Sequence, residues 1–131
     1  MEFFMILEDH SEEVQISIIR ETSNSALLEY ATCSENPKLR AAVALNINAS
    51  EWQLKLLSTD PDIEVRKAVL QNKDKTSGDI IDAMLKDDEV FEYENLIINH
   101  PNVYKKTLER YVKYHKDGSL KIKAQQRLRY M

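Results

Sequence analysis

One cysteine, two glycines and three prolines in 131 residues leave little material for several kinds of protein. Cys33 alone forms no disulfide framework and cannot by itself furnish a zinc or iron–sulfur site, which predicts a reducing compartment. The chain is accordingly read as cytoplasmic. So few Gly and Pro disfavour barrels and sandwiches, whose many tight turns need them. Long apolar runs are missing too. The opening Phe3-Phe4-Met5-Ile6-Leu7 is five residues long, follows Glu2 rather than a basic stretch and lacks a small-residue cleavage site. It predicts neither a membrane span nor a secretion signal, and no membrane partner is expected.

What is present suits one soluble helical domain covering residues 1–131: 43% apolar residues and a net charge of −4. The chain also repeats itself. Glu13-Val14-Gln15-Ile16-Ser17-Ile18-Ile19-Arg20-Glu21 overlies Lys38-Leu39-Arg40-Ala41-Ala42-Val43-Ala44-Leu45-Asn46 at an offset of 25, and Glu64-Val65-Arg66-Lys67-Ala68-Val69-Leu70-Gln71-Asn72 follows at 26. A further step of 27 brings in Glu92 to Asn99, with Leu96 under Val69 and Asn99 under Asn72. A degraded fifth copy begins near Leu120, where Leu120, Ala124, Leu128 and Met131 share a helical face.

Intervening segments correspond as well, at Ser25 to Cys33, Ser50 to Ser58 and Ser77 to Lys86. Each unit therefore reads as a helix pair. Ser50 with Gln53 is a capping-box pattern, while Asn36-Pro37 and Asp60-Pro61 place a capping side chain before a proline at the first helical position. Asn46, Asn72 and Asn99 are expected as left-handed C-caps. The second helix of each pair is apolar nearly all round in the copy at 38–46, so it should be buried on several sides, whereas the first is one-sided. Stacked pairs that shelter one another follow, with repeats near 1–22, 23–47, 48–73, 74–100 and 101–131.

The run Leu54 to Asn72 resembles the leucine-rich repeat variant family, within the HEAT and armadillo-like α-solenoid class, through its core Asp60-Pro61-Asp62-Ile63-Glu64-Val65-Arg66-Lys67-Ala68-Val69. The preceding copy keeps Asn36-Pro37-Lys38-Leu39-Arg40-Ala41-Ala42-Val43. The likeness extends over residues 3 to 100 and is strong over 28 to 72. It implies an all-α, right-handed superhelix of about five short helix pairs of ~26 residues, the shorter helices of 3₁₀ type in places. Some members of the family carry a cysteine-ligated iron–sulfur cluster beside the repeats. Cys33 alone cannot hold one.

Catalytic and metal motifs are sparse. His10, His100 and His115 form no His-x-x-x-His pair, and Gly78 and Gly118 lie forty residues apart, too far for a phosphate-cradling loop. No cofactor, metal or catalytic residue is assigned, and the chain is read as non-enzymatic. Asp9, Ser34, Asp60 and Asp87 recur at matching positions, as do Arg40 and Arg66, a pattern read as caps and a structural ladder between units.

Two surfaces remain. The strip of the second helices furthest from their apolar flanks is assigned to Ile16, Arg20, Ala41, Leu45, Lys67, Gln71, Glu94 and Ile98, lining a concave groove that suits a protein or peptide. Charge marks the other. Residues 1–102 hold 9 basic and 20 acidic side chains, net −11, whereas 103–131 hold 9 basic and 2 acidic, net +7. This basic face comprises Lys105, Lys106, Arg110, Lys113, Lys116, Lys121, Lys123, Arg127 and Arg129. It reads as a polar end cap, as a contact for an acidic protein, including the acidic end of a second copy in head-to-tail association, or as a nucleic-acid contact aided by Tyr104, Tyr111, Tyr114 and Tyr130. A protein partner is the expectation and nucleic acid the alternative.

Overall fold

The computed structural model describes residues 7–114 and 118–131, and their regular structure is entirely helical, with no strand among them. Phe3 to Ile6 and the His115 and Lys116 positions lie outside the described residues. The chain divides into two compact units, Met1–Thr76 and Ser77–Met131.

Unit 1 contains α1 (Glu12–Glu21), α2 (Ser25–Thr32), α3 (Pro37–Leu45), α4 (Glu51–Leu57) and α5 (Ile63–Gln71). Short side chains start each one. Ser11, Asn36 and Asp62 cap α1, α3 and α5, while Asn24 and Ser50 cap α2 and α4, each accepting from backbone N–H groups of the first turn. The Ser50–Gln53 capping box is complete in both directions. Pro37 stands at the start of α3 behind Asn36, as the sequence predicts. Asp60 does not do the same for α5. The helix opens two residues later on Asp62, and Asp60 Oδ1 instead accepts from the Asp62 N–H at 2.9 Å.

α3 is the centre of the unit, packing against α1, α2, α4 and α5. Its Leu39, Ala42, Val43 and Ala44 are buried for that reason, and Val65, Ala68, Val69 and Leu70 of α5 repeat the pattern. α2 and α4 also touch each other, and bury Leu27, Leu28 and Ala31 and then Leu54 and Leu57.

Polar ties join successive helix ends. The Asn46 amide donates to the carbonyls of Ile19 and Thr22 at 2.7 and 2.9 Å, and the Asn72 amide donates to those of Ala44 and Asn46 at 2.9 and 3.0 Å. Neither asparagine is a left-handed cap. Their φ angles are −77° and −81°, and no non-glycine residue among those described has positive φ. The side chain is used for reach instead, satisfying carbonyls that a finished helix leaves over. Arg40 forms a fork on Asp60, Nε to Oδ2 at 2.8 Å and Nη2 to Oδ1 at 3.1 Å, and its Nη1 donates to the Ser34 carbonyl. Buried Arg66 makes the corresponding bond to the Asp60 carbonyl at 2.6 Å.

Unit 2 contains α6 (Gly78–Met84), a 3₁₀ turn (Val90–Glu92), α7 (Glu94–Ile98), α8 (Lys105–Tyr114) and α9 (Gly118–Leu128). Ser77 caps α6. α9 packs on α8 and on α7. Carboxylates of α6 hold α8: Asp79 accepts from the Tyr104 hydroxyl at 3.0 Å, and Asp82 from Thr107 at 2.9 Å and from Arg110. Gly78 admits the ring of Tyr104. A Cβ there would lie 2.4 Å from the ring.

The hydrogen-bond pattern of Asn46 recurs in unit 2, one residue beyond where the sequence alignment places it. Asn46 closes its helix by donating to the Val43 carbonyl and accepts from the Asn48 N–H at 2.7 Å. His100, rather than Asn99, repeats this: its N–H donates to the Ile97 carbonyl and its Nδ1 accepts from the Asn102 N–H at 3.0 Å. Asn99 is exposed and bonds within its own helix, to the Asn95 carbonyl and side chain. The spacing from Asn72 to His100 is thus 28 residues, and the 3₁₀ turn takes up the extra length.

Candidate functional site

Of the strip residues assigned from the sequence, those in unit 1 reach solvent at least in part and those in unit 2 do not. Ile16, Ala41, Leu45 and Lys67 are half-buried, while Arg20 and Gln71 are exposed. Arg20 and Leu45 come together with Ser17, Glu21, Asn46 and Ile47 around a depression of about 550 Å³ between the ends of α1 and α3. Lys67 pairs with Glu64 at 3.4 Å. Glu94 and Ile98, by contrast, are interior. Ile98 is 1% exposed, and Glu94, at 8%, accepts from the Tyr111 hydroxyl at 2.6 Å. The 28-residue spacing gives the reason: Ala41 and Leu45 correspond to Asn95 and Asn99, which are exposed where Glu94 and Ile98 are not.

The basic face separates into surface and structural members. Lys105, Lys106, Lys113, Lys123 and Arg129 are exposed, and Lys121 is half-buried. Lys106 lies over the Tyr104 ring at 5.1 Å and Lys113 over that of Tyr114 at 5.3 Å, distances typical of cation–π contact. Lys123 reaches Asn95 Oδ1 at 3.3 Å. Arg110 is held by Asp82. Arg127 is the most committed of the set, because its Nη1 donates to the carbonyls of Ile98 and His100 at 2.6 and 2.8 Å. Those carbonyls correspond to the Ala44 and Asn46 carbonyls that Asn72 takes in unit 1. Lys116 is outside the described residues. Tyr111 is core, whereas Tyr114 and Tyr130 are open to solvent.

Among the described residues no group of three or more His, Cys, Asp or Glu side chains is arranged to hold a metal ion. None of their helices is long and apolar enough to cross a membrane. The recurring Ser34, Asp60 and Asp87 each accept from the N–H two residues on, at 3.1, 2.9 and 2.9 Å, so their recurrence is that of a turn. Tyr93 occupies the place six residues after Asp87 that Arg40 and Arg66 hold after Ser34 and Asp60, and its hydroxyl donates to Asp87. No family model, no curated protein and no solved structure matches this chain.

Sequence reasoning passed over the outer face of unit 1. Ala26 and Tyr30 of α2 and Trp52 and Leu56 of α4 are exposed at equivalent positions, 26 residues apart. Beside Tyr30 runs an open groove of about 930 Å³, bounded by Gln15, Ala26, Glu29, Cys33, Glu35 and Leu39 among others. The signal was readable: with Leu27, Leu28 and Ala31 assigned to the core, helical geometry leaves Ala26 and Tyr30 pointing away from it.

Proposed function

We propose that the chain is a short α-solenoid of stacked helix pairs, related in design to the leucine-rich repeat variant class, and that it works as a non-enzymatic protein-binding module in the cytoplasm. The observation that carries this reading is the recurrence of the carbonyl bridges, Asn46 on Ile19 and Thr22, then Asn72 on Ala44 and Asn46. Repeats tied at a fixed pitch are a way of displaying an extended row of side chains, and such rows bind other chains. Arg20, Leu45, Lys67 and Gln71 in unit 1 and the exposed lysines of unit 2 are the contact residues proposed. Affinity recovery from the native host, with partners identified by mass spectrometry, tests the reading. Lys105, Lys106 and Lys113 changed together to Glu, or Arg20 and Lys67 changed to Glu, should each reduce recovery at least tenfold; undiminished recovery by both variants overturns it.

A nucleic-acid contact is the second reading, favoured by Tyr114 and Tyr130, 71% and 90% exposed, beside Lys113 and Arg129. Phosphate neutralisation with base stacking is the chemistry such a surface offers. Its test is gel retardation by generic DNA and RNA at low salt, and no shift removes it.

A further inference from the structure

The charged residues lining the 930 Å³ groove of unit 1 are of one sign. Glu29 and Glu35 stand along it, and a smaller adjoining recess, which shares Gln15, Tyr30, Ser34 and Leu39, adds Glu8. Among the described residues no Lys, Arg or His lines either recess. The rest of the lining is uncharged: Ala26, 40% exposed Tyr30, exposed Cys33 and the edge of buried Leu39, with Gln15, Ser34 and Asn36. One repeat later the apolar positions persist as Trp52 and Leu56, but Lys55 takes the place of Glu29. The acidic character is therefore a property of this groove, whereas the exposed apolar row continues past it.

Resting on the protein-binding reading and going beyond its assigned contacts, we infer that this groove binds a basic peptide segment of a partner protein. The partner supplies apolar side chains against Ala26 and Tyr30 and lysine or arginine heads to Glu29 and Glu35. Such an occupant matches both features at once, since long cationic side chains cover apolar surface with their stems and leave their charges at the carboxylates. An acidic or purely apolar segment would leave the carboxylates facing like charge or no charge. Opposed charge also steers the encounter, so binding should weaken as salt rises.

The single cysteine is a built-in reporter. Cys33 lines the groove, and labelling it with an environment-sensitive thiol dye places the probe at the site without a substitution. The ligands are two synthetic amphipathic peptides, one with leucines along one face and lysines along the other, and its twin with glutamates for lysines. The lysine peptide should give a saturable dye response that weakens from 50 to 300 mM salt, and the glutamate twin none. Glu29→Lys combined with Glu35→Lys should weaken the lysine peptide at least tenfold; both positions are exposed, so the fold is expected to stand. Glu51→Lys on α4, away from the groove lining, should leave affinity within twofold. Because the dye itself occupies the groove, unlabelled protein and fluorescein-labelled peptide in an anisotropy titration must give the same ranking. Equal binding of the two peptides, or unchanged binding by the double variant, overturns the inference. So does a dye response to protein concentration alone with a dimeric mass, which would make the occupant a second copy. If the double variant still captures the host partner in full, the groove assignment fails while the protein-binding reading stands.

Discussion

In unit 1 the carbonyls left at the ends of α1 and α3 are taken by short asparagine amides, and in unit 2 those at the end of α7 are taken by the long guanidinium of Arg127. The arginine positions diverge in the same way. Arg40 and Arg66 bind the Asp60 turn in unit 1, while Tyr93 binds the Asp87 turn in unit 2, and buried Glu94 is met by Tyr111. What persists between the units is the need of a carbonyl or a turn for a donor. The residue that supplies the donor changes with the spacing. Identity of residue type is thus a poor guide to repeat register once the spacing drifts, and hydrogen-bond role is a good one.

The largest test of unit 1 is Val69→Asp. Val69 is fully buried, so the substitution strands a carboxylate among aliphatic side chains and should cost about 4 kcal/mol or more, read as loss of the native transition in urea melts followed by circular dichroism. Arg40→Ala comes next, at about 3 kcal/mol, because Asp60 is buried and loses both arms of its fork. Arg40→Lys should recover little of this, since an ammonium cannot reproduce two parallel N–H bonds. The comparison itself is sharpened by pairing Asn72→Ala with Arg127→Ala. Asn72 is buried and leaves two interior carbonyls unmet, which should cost about 2 to 3 kcal/mol, while Arg127, itself only half-buried, should cost about 1 to 2.

Gly78→Ala probes the other unit, where an added methyl meets the Tyr104 ring, and a loss of about 1 to 2 kcal/mol is expected. Tyr104→Ala in the same chain should remove most of that penalty, a coupling that a double-mutant cycle measures directly. The smallest effect belongs to Glu12, whose carboxyl is held below its ordinary value by the Asn36 side-chain hydrogen bond first and by Lys38 second. A carboxyl lowered in the folded state stabilises above its ordinary titration range, and that contribution is lost as pH falls through the lowered value. Glu12→Gln should therefore differ slightly from the parent in urea midpoint at pH 7 and not at pH 2.

Much of this architecture was legible before any coordinates. The helix pairs of unit 1, the Ser50–Gln53 box and the Asn36–Pro37 start follow from local chemistry, and local chemistry decides where a helix begins. Three readings depended on partners distant in sequence and went astray. Asn46 and Asn72 were read as left-handed caps because nothing local shows that their amides reach carbonyls more than twenty residues away. Asp60 was read as a cap because its competing partner, Arg40, lies twenty residues upstream. Glu94 and Ile98 were placed on the surface because matching Asn99 to Asn72 falls one residue short of the 28-residue spacing around the 3₁₀ turn. The outer groove of unit 1 was missed for a different reason: its lining comes from three helices, and an acidic recess exists only once they are assembled.

The exchange of Asn72 for Arg127 also decides which joint can stretch. An amide on a one-carbon stem clamps its two acceptors like a pin in a fixed hole, so a single residue inserted between Asn46 and Asn72 pulls the pin out. A guanidinium on a three-carbon stem behaves as a tether, following its acceptors through small shifts in the helix that carries it. Length variation should therefore be absorbed at the α7–α9 joint and resisted at the α3–α5 joint, which makes the former the place to graft or lengthen this chain.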